Sequence, residues 1–324
     1  MRGVELEFRN VSRRYGSVLA VDDLSFSVPA GQICVLVGPS GCGKTTSLKM
    51  VNRLIEPSGG QILLGGRDVM AEDPIELRRR IGYVIQQVGL LPHLTVGQNV
   101  AVVPRLLGWN RARQQERVDE LLALVGLEPG SYRDRYPSQL SGGERQRVGV
   151  ARALAADPPL MLMDEPFGAV DPIVRDRLQN ELLSLQEQLA KTILFVTHDI
   201  DEAVKMGDLV AVLQVGGVLA QFGPPAEILA NPASEFVARF VGADRGLKRL
   251  SLTRVADLPL EPCADDLQPE PGQPVLGPRT TLKDALSQML DADVSTGVVI
   301  ENGRVTGLLT YELIAAALRD GSGR

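Results

Sequence analysis

The chain has 324 residues, 44% apolar and 23% charged, with a formal net charge of −6. That length gives about two domains of ordinary globular composition, and the acidic balance excludes a general affinity for nucleic acid. Cys34, Cys42 and Cys263 are too few, and odd in number, for a disulfide framework, which fits a reducing compartment. Residues 1–10 carry Arg2, Glu5, Glu7 and Arg9 with no apolar stretch, so they do not read as a secretory signal. No run reaches the ~18 apolar residues that a spanning helix needs, so any membrane role must come through a partner.

Residues 4–37 alternate short apolar and polar stretches and end in the unbroken apolar run 33–37. The pattern predicts strands, the last of them buried on both faces. Cys34 lies in that run and reads as a small buried hydrophobe. A glycine-rich turn follows, then helical spacing over 45–54. Residues 88–138 are largely helical in pattern, most clearly over 111–125, and read as a helical subdomain inserted into a larger core. Strand-like runs recur at 161–163, 193–196 and 209–213, with a helix over 175–189 between two of them. Strands alternating with helices predict an α/β fold with a doubly wound sheet.

Composition shifts near Asp257. Residues 257–274 hold five prolines, five acids and no base, which predicts an extended linker. Regular pattern then returns: a helix over 281–290, a strand over 297–301, the two-residue hairpin signal Asn302-Gly303, a strand over 305–310 and a helix over 312–318. No fixed-period repeat is found.

Two segments carry chemistry on their own. Gly38-Pro39-Ser40-Gly41-Cys42-Gly43-Lys44-Thr45 fits G-x-x-x-x-G-K-[ST] between a predicted strand and a predicted helix. Glycines let backbone N–H groups converge on phosphate oxygens, and the helix start adds its positive dipole end. Lys44 is placed to reach the β- and γ-phosphates, and the Thr45 hydroxyl to bind Mg²⁺. Cys42, inside the loop, leaves a redox role open. The second segment is Leu160-Met161-Leu162-Met163-Asp164-Glu165, an apolar strand ending in two carboxylates. Asp164 would hold Mg²⁺ and Glu165 would polarise the attacking water as general base. Taken alone, an Asp-Glu pair at a strand end is also a common solvated turn.

A third segment points to a family. Leu140-Ser141-Gly142-Gly143-Glu144-Arg145-Gln146-Arg147 resembles the signature sequence of ATP-binding-cassette (ABC) proteins, and it lies between the glycine loop and Asp164 as in that family. Ser141 with Glu144 also forms a capping box, so a plain N-capped helix is compatible with it. Over residues 4–250 the resemblance implies an ABC-type P-loop NTPase core with ATP and Mg²⁺ as ligands. It implies phosphate contacts from residues 38–45 and from Thr46. Tyr15 matches the aromatic that stacks on adenine. Gln86 matches the glutamine that senses Mg²⁺ and the attacking water, Gln87 being the alternative. Asp171, in Gly168-Ala169-Val170-Asp171, matches the loop at the subunit interface. His198 matches the histidine that contacts the γ-phosphate, although a lone histidine after an apolar strand is usually structural. His93 lacks such support and is expected on the helical subdomain surface. The family mechanism implies a second copy of the subunit, whose Ser141, Gly142 and Gly143 meet the γ-phosphate across a dimer.

Residues 81–109 and 240–250 resemble the ATPase subunits of quaternary-amine osmoprotectant importers, which handle glycine betaine, carnitine or choline. The partners implied are transmembrane permease subunits and, indirectly, an extracytoplasmic substrate-binding protein, with no nucleic acid. The place implied is peripheral, on the cytoplasmic face of the cell membrane. The expected layout is an ABC domain over 1–250 with a helical subdomain at about 88–150, a linker over 251–274 and a small α+β module over 275–324. The module resembles one CBS (cystathionine-β-synthase-type) motif. It departs from that pattern in being single and in having Leu313 where an acid binds ribose, with Glu312 beside it. A packing or dimerisation appendage is the other reading of it. The competing functions are an importer ATPase for another small polar solute and a soluble ABC ATPase. The latter usually carries two cassettes or a long coiled-coil insertion, and neither is found here.

Overall fold

A computed structural model describes residues 3–86, 89–168, 170–263, 269 and 272–320. Its contacts divide the chain into two compact units between Phe222 and Gly223.

The first unit opens with β1 (Leu6–Tyr15) and β2 (Val18–Val28), which pair antiparallel. β3 (Ile33–Val37) and α1 (Lys44–Val51) flank the glycine loop. β4 (Gly59–Leu64), β5 (Arg67–Asp68), α2 (Pro74–Arg79) and β6 (Ile81–Val84) follow. The helical subdomain comprises α3 (Val96–Val100), α4 (Val102–Leu106), α5 (Arg111–Leu124), α6 (Pro129–Tyr132) and α7 (Gly142–Leu154). The chain returns to the core through β7 (Leu160–Asp164), α8 (Pro172–Leu189), β8 (Thr192–Thr197), α9 (Ile200–Met206), β9 (Leu209–Gln214) and β10 (Val218–Gly223).

Two sheets result, where the sequence pattern predicts one doubly wound sheet. The larger runs β10-β9-β3-β8-β7-β6, and β9, β3, β8, β7 and β6 are parallel. The smaller is antiparallel and runs β2-β1-β4-β5. Only Gly16 and Ser17 separate β1 from β2. That leaves no room for a crossover helix, so the two strands form a hairpin and a separate layer. Leu6, Phe8, Leu24 and Phe26 of this layer share a core with Leu36, Leu162 and Leu194 of the parallel sheet and with Leu48 of α1. Phe8 and Phe26 stack with ring centroids 4.6 Å apart. β3, β7 and β8 are buried at every position, which is why they read as unbroken apolar runs. Cys34 is buried among them, and burial pushes its thiol up.

The second unit contains α10 (Pro225–Ala230), α11 (Glu235–Val241) and α12 (Arg245–Leu250). β11 (Val275–Leu276), α13 (Leu282–Asp291), β12 (Thr296–Glu301), β13 (Arg304–Thr310) and α14 (Tyr311–Asp320) complete it. Asn302 and Gly303 form the hairpin turn, with φ of 50° and 77°, the left-handed pair that a two-residue turn requires. Two expectations are corrected here. The division falls near 222 and not at 250, because Leu250 of α12 packs with Leu276, Leu282 and Ile314 in the module's core. Nor is the whole of 251–274 an extended linker. Val255 is buried, Leu258 and Leu260 pack on the same core, and Glu261 exchanges two backbone hydrogen bonds with Leu308 on the edge of β13. Averaged composition hid these few apolar residues. Residues 264–268, 270 and 271 of that stretch lie outside the described residues.

Candidate nucleotide-hydrolysing site

In a parallel α/β sheet, ligands bind beyond the carboxyl ends of the strands. Four adjacent strands deliver the sequence-predicted residues to that edge. β3 leads into Gly38–Thr45, β8 ends before His198, β7 ends at Asp164, and β6 runs toward Gln86.

The glycine loop is held tightly. Gly43 has φ of 92°, and a Cβ there would collide with the carbonyl of Ala20 in β2. Only glycine fits both constraints. Lys44 is 6% exposed and donates from Nζ to the carbonyls of Gly38, at 2.7 Å, and Pro39, at 3.0 Å. Ser40 and Gly41 are exposed at the loop tip, and Thr46 is half-buried in the first turn of α1. Cys42 is buried with its Sγ 3.7 Å from Lys44 Nζ, and burial raises its thiol. A buried thiol held in protonated form is a poor nucleophile, so nothing here favours a redox role.

Thr45 Oγ1 donates to Asp164 Oδ1 at 2.9 Å. Asp164 is buried, and burial pushes its carboxyl up, against the pull of Thr45, Lys49 and Lys44. A desolvated carboxylate beside a hydroxyl is a donor set for a hard divalent cation. Among the described residues no group of three or more His, Cys, Asp or Glu could hold a metal. The hydroxyl of Tyr83 in β6 is pushed up to about 12 by burial and by the Asp164 charge.

Glu165 takes a left-handed backbone, φ 43°, with its N–H bonded to the Val196 carbonyl at 2.9 Å. For a non-glycine residue this conformation is uncommon and is held only where the surroundings enforce it. It aims the carboxylate at two partners. Gln86 Nε2 donates to Glu165 Oε2 at 3.1 Å, and His198 Nδ1 lies 3.2 Å from the same oxygen. Gln87 and Ala169 lie outside the described residues. Tyr15 pairs with Val18 at the β1–β2 hairpin tip, two residues before the Ala20 carbonyl that Gly43 abuts. Tyr15 is 43% exposed, with the Arg13 guanidinium 4.4 Å from its ring centroid.

Ser141, Gly142 and Gly143 open α7 with the expected capping box. Ser141 Oγ accepts from the Glu144 N–H, and the Ser141 N–H donates to Glu144 Oε2 at 2.7 Å. Tyr132 adds a 2.6 Å bond to Glu144 and holds that carboxyl down. The three residues line a surface cavity of about 460 Å³ together with Asp171 and Arg177. Asp171 caps α8 by accepting from the Val174 N–H at 3.1 Å. None of the cavity's lining residues belongs to the glycine loop. His93 is exposed before α3.

Comparison with known proteins identifies the family. The family described as ABC transporter matches residues 21–168. The chain is 50% identical over 292 residues to the osmoprotectant import ATP-binding protein OsmV of Salmonella typhimurium, covering 90% of this chain and 74% of that protein. This chain belongs to the ABC transporter ATP-binding family. It is 47% identical to the glycine betaine/carnitine/choline transport ATP-binding protein OpuCA of Bacillus subtilis, over 95% of this chain and 79% of that one. A solved structure of the ATP-binding cassette MJ0796, a dimer in a post-hydrolysis state bound to ADP and Pi, is also similar. It has a TM-score of 0.59 and 32% identity over 68% of this chain and 98% of that one. As an ABC ATPase, the chain binds and hydrolyses ATP and is the energising subunit of a transporter. Among its described residues no helix is long and apolar enough to cross a membrane.

Proposed function

We propose that this ABC ATPase hydrolyses Mg²⁺-bound ATP with Glu165 as general base, at a site completed by a second copy of the chain. The work drives import of a quaternary-amine osmoprotectant through a separate permease. The observation that carries the hydrolytic reading is the single oxygen Glu165 Oε2, held by Gln86 and His198, next to the Thr45–Asp164 pair. Those two partners orient the carboxylate to accept a proton from water, and Lys44, which donates to the carbonyls of its own loop, would exchange them for phosphate oxygens of bound ATP. Magnesium, held by Thr45 and Asp164 with Gln86 nearby, would supply charge neutralisation on the β- and γ-phosphates. Tyr15 offers an exposed face for adenine, a contact worth roughly 1–3 kcal/mol.

Ser141, Gly142, Gly143 and Asp171 share a surface cavity apart from the chain's own glycine loop, which supports their use in trans on the partner's ATP. The dimeric MJ0796 structure supports the same reading. The exposed Leu91, Leu106 and Leu107 on the helical subdomain suit contact with permease subunits at the cytoplasmic face of the membrane. An extracytoplasmic binding protein would deliver the solute.

The cargo rests on relatives 47–55% identical whose names specify osmoprotectant, carnitine, glycine betaine or choline transport. Residues 275–320 keep the β-α-β-β-α order of one CBS-like motif. Thr310 bonds Glu261, Leu313 packs on the module's core and Glu312 is exposed, so a ribose-binding acid is not in its usual place. Deleting the gene should lower uptake of radiolabelled glycine betaine or choline in high-salt medium, and re-expression should restore it. Unchanged uptake in a host without redundant importers would overturn the cargo but leave the ATPase reading, which is tested on the purified chain.

A further inference from the structure

Two buried polar residues beside the site have no part in the hydrolytic chemistry above. Gln179 of α8 and Glu202 of α9 are 5% and 7% exposed, and Gln179 Nε2 donates to Glu202 Oε1 at 3.0 Å. The Glu202 N–H donates to Asp199 Oδ1 at 3.3 Å. The Thr197 hydroxyl oxygen accepts from the Asp199 N–H at 3.1 Å. Thr197 and Asp199 are the two neighbours of His198.

A second strut runs parallel to the first. Arg175, one helical turn before Gln179, has Nη1 3.9 Å from Asp199 Oδ2. Its Nη2 donates to the Val170 carbonyl at 3.1 Å, next to the Asp171 that caps the same helix. A buried carboxyl is costly, and burial indeed pushes Glu202 upward. Glu202 lies in the first turn of α9, which Asp199 caps by accepting from the Asp201 and Glu202 N–H groups at 2.8 and 3.3 Å, so the bond from Gln179 anchors that turn directly after His198. His198 itself is a largely exposed side chain, 59%, so little packing holds it at Glu165.

We infer that Glu202, clasped by Gln179, is a positioning residue for hydrolysis: it fixes the backbone of residues 197–199 so that His198 stays within reach of Glu165 Oε2. The clasp joins the turn carrying His198 to the helix that begins at the interface residue Asp171. This inference rests on the role proposed above for His198.

The test is ATP hydrolysis by the full-length chain, with kcat and KM measured separately, in a double-mutant cycle with His198→Ala. Single-turnover release of labelled phosphate gives the residual rates. Glu202→Ala should lower kcat by about tenfold or more while KM for ATP changes by less than about twofold, the pattern of an interaction used only beyond substrate binding. Glu202→Gln keeps an oxygen facing Gln179 and should restore kcat to within about threefold of wild type. In the His198→Ala chain, Glu202→Ala should cost nothing further, because residues acting through one another are not additive. Where the alanine variant does not fold, Gln179→Leu cuts the clasp from the α8 side and should show the same kcat loss with the same non-additivity. Additive losses, equal losses in kcat and 1/KM, or wild-type kcat in both clasp variants would overturn the positioning role alone. Wild-type turnover in His198→Ala would remove the role of His198 and this inference with it.

Discussion

Replacing Glu165 with glutamine exchanges one carboxylate oxygen for an amide nitrogen and leaves the side chain's shape intact. The remaining amide oxygen can still accept from Gln86 Nε2 and His198 Nδ1, now 3.1 Å and 3.2 Å from Oε2. The geometry therefore survives and the basicity does not. A general base supplies about 10²–10⁴-fold in rate, which is about 2.7–5.4 kcal/mol at 1.36 kcal/mol per tenfold. Lys44 and Thr45 bond to Gly38, Pro39 and Asp164 and not to Glu165, so ATP affinity should hold within about twofold. Phosphate release at saturating Mg²⁺ and ATP measures the first quantity. Equilibrium titration with a fluorescent ATP analogue measures the second. The variant should also accumulate as an ATP-bound dimer on size exclusion. Turnover within about threefold of wild type, or a loss of affinity as large as the loss of rate, would refute the assignment of Glu165 as base.

Three further outcomes are expected. Lys44→Ala should weaken ATP binding, whereas Ser141→Arg should leave it largely intact in the monomer and abolish hydrolysis; mixing the two should regain activity from one complete composite site, and mixtures no better than the separate variants would count against a shared site. Gly43→Ala must place a Cβ against the Ala20 carbonyl at φ 92°, so it should cost about 1–3 kcal/mol and weaken nucleotide binding, and wild-type melting and binding would contradict the strained loop. Glu202 is raised above its ordinary 4.5 by burial, with Thr197 and Gln179 opposing, Asp199 adding and Arg175 opposing. The folded chain thus holds this proton more tightly than the unfolded one, and the stability it contributes is full below about pH 4.5 and lost as pH rises through the folded value. The Tm of Glu202→Gln minus that of wild type should therefore increase from pH 4.5 toward neutrality, and a flat difference would show that Glu202 does not titrate on unfolding.

Several features of this ATPase are local and were legible in its sequence. The glycine loop, the Asp164-Glu165 strand end and the Ser141 capping box each lie within a few consecutive residues. A fixed backbone geometry is enough to say what such segments can bind. The buried strands β3, β7 and β8 announced themselves as unbroken apolar runs, and Asn302-Gly303 announced its turn through two left-handed residues. Other features depend on residues far apart in the chain. Gln86 and Glu165 are 79 positions apart, yet they share a hydrogen bond because β6 and β7 pair in parallel. A match in motif order named Gln86 and His198, but only the sheet order brought both to one oxygen. The second sheet arose because two strands without a helix between them must fold back. The arm at 251–262 packs because Val255, Leu258 and Leu260 find a core that average composition does not show. Gln179 and Glu202 are an unremarkable glutamine and glutamate on two helices until those helices pack together. Burial and convergence are properties of the whole packed chain, so only the tertiary structure decided them.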